Sequence, residues 1–97
     1  MLTTSALQKI REFIKKNLAY GRYRIGTTYY KVPIQSIEIV GGAVAVYLLI
    51  DHSAVGTVNQ IQLFDYGNEV FAEKTESIVK NGTQGVLAKF TFLVQEV

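Results

Sequence analysis

Cysteine and tryptophan are absent from this chain, and proline and methionine each occur once, as does histidine. Without cysteine there is neither a disulfide framework nor a thiolate zinc site, and the redox compartment stays open. His52 has no second histidine to help complete a coordination sphere, so no metal site is expected. Asp51, His52 and Ser53 have the residue types of a hydrolase triad, but consecutive residues cannot converge on one proton path. The glycines stand singly or in pairs, and neither a dinucleotide-binding G-x-G-x-x-G nor a Walker sequence occurs. With these routes missing, the chain reads as non-enzymatic, with no catalytic residue, no cofactor-binding residue and no cofactor. The longest uncharged apolar run, residues 41–50, is about half of the roughly 20 residues that a membrane-spanning helix requires. No membrane partner is expected. Lys9, Arg11, Lys15 and Lys16 interrupt the first apolar residues, which predicts no cleaved export signal.

What is present fits one domain, 1–97. Area scaling predicts that roughly 65% of the unfolded surface is buried on folding, enough for one modest core. The net charge of +2 hides a division. Up to Lys31 there are seven basic residues and one acid, Glu12, or +6; from Val32 onward three basic residues face seven acids, or −4. A chain so divided can attract an anionic polymer or copies of itself head to tail.

The clearest structural signal is residues 35–51, QSIEIVGGAVAVYLLID. A two-residue Gly41-Gly42 loop pairs Val40 with Ala43, Ile39 with Val44, Glu38 with Ala45 and Ile37 with Val46. Strand alternation then puts Ile37, Ile39, Val44, Val46, Leu48 and Ile50 on one face, which must be buried. The other face, with Ser36, Glu38, Val40, Ala43, Ala45, Tyr47 and Leu49, is mixed, and its Ala and Tyr positions are open to cover by something else.

Ahead of this hairpin, residues 3–18 predict an amphipathic helix, with Ser5 and Gln8 as a capping box and Leu7, Ile10, Phe13, Ile14 and Leu18 at spacings of three and four. Its apolar stripe is expected to pack on the protein's own sheet; a membrane surface is the alternative, without a Trp anchor. Residues 20–32, YGRYRIGTTYYKV, predict a hairpin around Gly26-Thr27 with Tyr23, Ile25, Tyr30 and Val32 inward and Arg22, Arg24, Tyr29 and Lys31 outward. Interleaved Arg and Tyr suits a surface that stacks bases and neutralises phosphates, but with no RNP-type or KH-type signature beside it the stretch reads first as an ordinary solvated strand face. Pro33 suits a strand edge or a bend.

Beyond the central hairpin, residues 57–66 and 69–74 predict a second strand pair with a turn at 65–68, Ile61 and Leu63 facing one way and Gln60, Gln62 and Phe64 the other. Residues 75–83 are expected to be a connection with Ile78 and Val79 as an apolar anchor; Asn81-Gly82-Thr83 fits a glycosylation sequon but reads as a turn signal. Residues 86–97 alternate as a last strand, with Ala88, Phe90, Phe92 and Val94 on one face. The expected fold is therefore mainly β with one N-terminal helix (3–18), followed by a β domain (20–97): an antiparallel β-sandwich or small barrel of about seven strands. Glu69, Glu73 and Glu76 read as a solvated acidic face.

Residues 61–72, IQLFDYGNEVFA, resemble the I-x-L-F-D-x-x-G-x-x-x-A strand–turn–strand segment in the N-terminal attachment domains of tail-collar and tail-fibre proteins of tailed bacteriophages. The strand Gly85-x-Leu87-x-x-Phe90-x-Phe92-x-Val94 is similar to the one that closes those domains. The layout of short helix, Tyr-rich hairpin and FD-x-G pair resembles small proteins encoded among virion structural genes. Gly67 stands one place earlier than in many members and no fibre-shaft sequence follows, so a receptor-binding role is not implied. The resemblance implies a virion structural protein of a phage or prophage-derived tail device, in the tail, baseplate or fibre attachment, assembled in the host cytoplasm. Its expected partners are other copies of itself and other virion proteins, as a homo-oligomer with Arg22, Arg24, Tyr29 and Lys31 on one side of the contact and Glu69, Glu73 and Glu76 on the other. The alternative is a single-stranded nucleic-acid binder using the 20–31 hairpin.

Overall fold

Glycine turns decide the local pairing, and the register expected around Gly41-Gly42 is the one adopted. The structure, a computed structural model, describes residues 1–50, 55–82 and 85–95. Asp51, His52 and Ser53 lie outside the described residues, as does Thr83 of the Asn81-Gly82-Thr83 turn. The elements are α1 (Thr4–Asn17), β1 (Leu18–Ile25), β2 (Thr28–Val32), β3 (Ile34–Val40), β4 (Ala43–Ile50), β5 (Gly56–Asp65), β6 (Val70–Lys80) and β7 (Val86–Leu93). They form two antiparallel sheets, one in the order β2-β1-β5-β6 and one in the order β3-β4-β7. The fold is thus the sandwich; a closed barrel is not formed.

Gly26 and Gly41 hold φ of +63° and +59°, the left-handed conformation that two-residue hairpin turns demand. Across them Ile25 faces Thr28 and Val40 faces Ala43. The turn between β5 and β6 has a different construction: the Asp65 carboxylate accepts from the backbone N–H of Gly67 (2.9 Å) and Glu69 (3.1 Å), while Asn68 takes φ +60°. Pro33, lacking an N–H, ends the β2 ladder, and the chain crosses there to the other sheet.

The core lies between the sheets. Val44, Val46, Leu48 and Ile50 of β4 are fully buried against Val58, Ile61 and Leu63 of β5. Gly21 on β1 lets the sheets approach so closely that a Cβ there would stand 2.5 Å from Leu48 Cδ1. Ile37 and Ile39 are only half-buried because β3 is an edge strand. Tyr30 faces inward, stacked on Tyr23 with ring centroids 5.3 Å apart, yet stays exposed at the β2 edge.

Three local expectations are corrected. Thr3, not Ser5, caps α1: its Oγ1 accepts from Ala6 N at 3.0 Å, and Ser5 lies inside the helix. The helix is not held by a simple apolar stripe. Ile14 packs on the core and Leu7 is half-buried, but Ile10 and Phe13 are exposed, and the buried side chain is Arg11, whose Nη2 donates to Val94 O at 2.6 Å. The helix therefore closes the end of the sandwich where β4 begins and β7 ends. Finally, residues 75–80 are not a connection but the second half of β6, and the last strand stops at Leu93. Pairing with β5 through a bulge extends β6 as far as Lys80, 2% exposed, whose ammonium donates to Asn81 O at 3.2 Å. This long hairpin makes the molecule 47 Å in its longest dimension, with a radius of gyration of 14.7 Å against the roughly 12.5 Å of a compact chain this size.

Candidate interaction surface

Alternation along β1 places Tyr20, Arg22 and Arg24 on the outer face of the four-stranded sheet, opposite the core side that takes Gly21 and Tyr23. Lys31 pairs with Arg22 on one side, Gln62 pairs with Arg22 on the other, and Glu73 pairs with Gln62. Lys31, Arg22, Gln62 and Glu73 thus make one row across all four strands, with two cations, an amide and an anion in order.

The row is hydrogen-bonded. Arg22 Nε and Nη2 donate to Gln62 Oε1 at 2.9 and 2.6 Å, and Gln62 Nε2 donates to Glu73 Oε2 at 2.9 Å. Gln60 Nε2 reaches the same oxygen at 3.5 Å. Aromatic rings cover the cations. The Arg22 guanidinium sits 4.0 Å from the Tyr29 ring centroid and 4.7 Å from that of Phe64, Lys31 Nζ lies 4.3 Å from Tyr20, and Tyr20 stacks on Phe64 at 5.0 Å. Each such cation–ring contact is worth about 0.5–1 kcal/mol at an exposed site and more where water is excluded. Arg24 is held by Nε donating to Asn59 Oδ1 at 2.7 Å.

Arg22, Arg24, Tyr29 and Lys31 are therefore brought together as expected, and Glu73 joins them on the same face, two strands from Arg22. The other two glutamates go elsewhere. Glu69 lies exposed at the β5–β6 turn, and Glu76 forms an ion pair with Lys74 at 2.9 Å. The three do not make one acidic face, because β-strand alternation and the turn separate them. Gln62 and Phe64, both buried, are central members of the site that charge counting missed. Their shared parity along β5 was readable, but only the long-range β1–β5 pairing puts them under Arg22.

The mouth between the β6 and β7 edges is closed by Lys74. Its ammonium donates to Lys89 O at 2.5 Å, pairs with Glu76 and lies 4.9 Å from the Phe90 ring centroid. Phe71 and Phe92 meet edge to face beside it, with centroids 6.1 Å apart.

The outer face of the three-stranded sheet differs in chemistry. Val40, Ala43 and Leu93 form one row across it, and Leu49 pairs with Leu87 in another. Val40 is 63%, Leu87 56% and Leu93 71% exposed, and Leu49 is exposed as well. Two grooves flank Pro33. The larger, about 780 Å³, runs past Tyr23, Ile34 and Leu49; the smaller, about 620 Å³, past Tyr20, Tyr66 and Asn68. Lys31 borders both, and among the described residues the only other ionisable carboxyl or amine on either is Asp65. Among the described residues no three His, Cys, Asp or Glu side chains gather as a metal site, and no helix is long and apolar enough to cross a membrane. Comparison with protein-family models, with curated proteins and with solved structures gives no match.

Proposed function

We propose that this protein is a non-enzymatic structural subunit of a tailed-phage or prophage-derived particle, working through β-surface contacts with copies of itself and with other particle proteins. The observation that carries the assembly reading is the outer face of the β3-β4-β7 sheet, where Val40, Leu49, Leu87 and Leu93 are all exposed. They stand at the two ends of the face, Val40 and Leu93 flanking Ala43 and Leu49 paired with Leu87, with the rows of Glu38, Ala45 and Thr91 and of Ser36, Tyr47 and Lys89 between. Exposed aliphatic groups so placed suit contact with another macromolecule. The particle setting is supported by the resemblance at 61–72, residues that here build the strand–turn–strand of β5 and β6.

The test is to fractionate particles released from induced host cells and to seek this chain by mass spectrometry. It should co-purify with assembled particles; a chain abundant in the lysate and missing from purified particles refutes the reading. Light scattering of the isolated protein adds a second check, with an apparent mass that rises with concentration.

A second reading, single-stranded nucleic-acid binding, draws on the same cation–aromatic face. Against it, Arg22 is already stacked between Tyr29 and Phe64, and Phe64 is buried, so Tyr29 is the ring of that stack most open to a base. A fluorescent oligonucleotide that fails to bind at about 50 mM salt removes this reading; binding that falls steeply with salt and is lost in Tyr29→Ala establishes it.

A further inference from the structure

Four neighbouring rows cross the β2-β1-β5-β6 sheet without a register shift: Val32 to Ala72, Lys31 to Glu73, Tyr30 to Lys74 and Tyr29 to Thr75 are their end residues. The sheet has an even number of strands, each antiparallel to its neighbours, so its edge strands β2 and β6 run in opposite directions. A copy displaced along the sheet therefore meets the first with β2 antiparallel to β6, the arrangement needed for a continuous antiparallel sheet. We infer that the protein associates head to tail in this way, the β2 edge of one copy adding to the β6 edge of the next in the register that continues the rows. The inference rests on the assembly reading above and names the partner: a second copy of this chain.

The chemistry at the two edges is complementary in that register. On the outer face, Lys31 of one copy stands beside Glu73 of the next, whose Oε1 takes no hydrogen bond among the described residues. On the inner face the exposed Tyr30 ring comes beside Lys74, and on the outer face Tyr29 comes beside Thr75. Sliding by two residues in either direction puts Lys31 against Thr75 or Phe71 and loses the ion pair. The backbone is ready at β2: in a two-residue hairpin the flanking pair Ile25 and Thr28 exchange both bonds, which turns the N–H and C=O of Tyr29 and Lys31 outward. Inward-pointing charge normally blocks addition to an edge strand. Here Lys74 is already neutralised by Glu76 and bonded to Lys89 O, so covering β6 strands no unpaired ammonium. That same bond occupies a backbone carbonyl of β7, which directs addition to the four-stranded sheet. Such a heterologous contact yields a ring if the rotation between copies closes and a filament if it does not.

Charge complementation tests it. Lys31→Glu and Glu73→Lys each place like charges across the contact, and each variant alone should associate at least about tenfold more weakly than wild type in sedimentation at low salt. An equimolar mixture of the two should regain the wild-type mass, because unlike charges then alternate at every contact, and the double variant K31E/E73K should regain it alone. Tyr29→Pro, which removes an outward N–H without changing charge, should also weaken association. Both charged positions are exposed, and circular dichroism verifies that the variants are folded. Variants that associate as wild type does, or a mixture that stays monomeric, overturn this contact while leaving assembly through another face standing. A wild-type chain that stays monomeric at every concentration also overturns it, and the assembly reading then stands or falls on the particle fractionation alone.

Discussion

Replacing Gly21 by alanine should measure how closely the two sheets are pressed together. The added Cβ would stand 2.5 Å from Leu48 Cδ1, 2.7 Å from Cδ2 and 3.1 Å from Cγ. Carbon atoms rest at roughly 3.5–4.0 Å, so Leu48 must retreat by about 1 Å or more. It has nowhere to go: Leu48 is fully buried, among Val44, Val46, Ile50, Ile61 and Leu63, which are fully buried themselves. Overpacking of this kind costs about 1–3 kcal/mol. For a domain of this length that lowers Tm by roughly 4–8 °C per kcal/mol. Urea unfolding should show a lower midpoint with an unchanged m-value, since the surface exposed on unfolding stays the same. The cause is identified by a double-mutant cycle. Leu48→Ala alone should cost about 2–5 kcal/mol through the cavity it leaves, but combined with Gly21→Ala the loss should fall short of the sum by at least about 0.5 kcal/mol, because the new methyl fills part of that cavity. A Gly21→Ala protein as stable as the parent, or strict additivity in the cycle, would refute the close approach of β1 to β4.

Gly56 combines φ of +130° with Ile25 Cγ2 2.6 Å from a would-be Cβ, so Gly56→Ala should cost at least about 1–3 kcal/mol from backbone strain, seen as a lower urea midpoint; an unchanged midpoint counts against the conformation. Arg11→Met removes the bond to Val94 O and should weaken the docking of α1 by about 1.5–3 kcal/mol, read as faster amide hydrogen exchange in α1 than in β4; equal protection before and after would show that Arg11 is not the anchor. Leu87→Ser and Leu93→Ser lie on the exposed sheet face and should leave stability within about 0.5 kcal/mol of the parent while reducing association or particle incorporation; a collapse in Tm instead would mean that these side chains serve the core.

The lesson of the surface is that charge sums over sequence halves are a poor guide to charge in space. Of the seven basic residues up to Lys31, only Arg22, Arg24 and Lys31 form the β2 and β1 side of a face while the other four lie on α1, and the acids after Val32 scatter among an outer row (Glu73), a turn (Glu69) and an ion pair beside Lys74 (Glu76). Arg11, which the sequence offers only as one more basic residue of the first segment, is the buried link between α1 and the end of β7. A long aliphatic stem with a fork of donors can satisfy a carbonyl left over where a strand ends, and periodicity has no means of signalling that.

What the amino-acid order determined alone is everything that closes within a few residues. Glycine at Gly26 and Gly41 supplies the left-handed conformation of two tight turns, so both hairpins, their registers and the inward faces of β1 and β4 follow from period-two alternation. The tertiary structure alone decided which hairpins share a sheet, that β5 lies beside β1 and β7 beside β4, and therefore that Arg22 meets Gln62 and Glu73. It also decided that residues 75–80 are strand, since their polar pattern becomes extended only by pairing with β5. The physical reason is that turn conformation is an energy of neighbouring residues, whereas the partner of a strand edge is chosen by the burial of whole faces brought together across the chain.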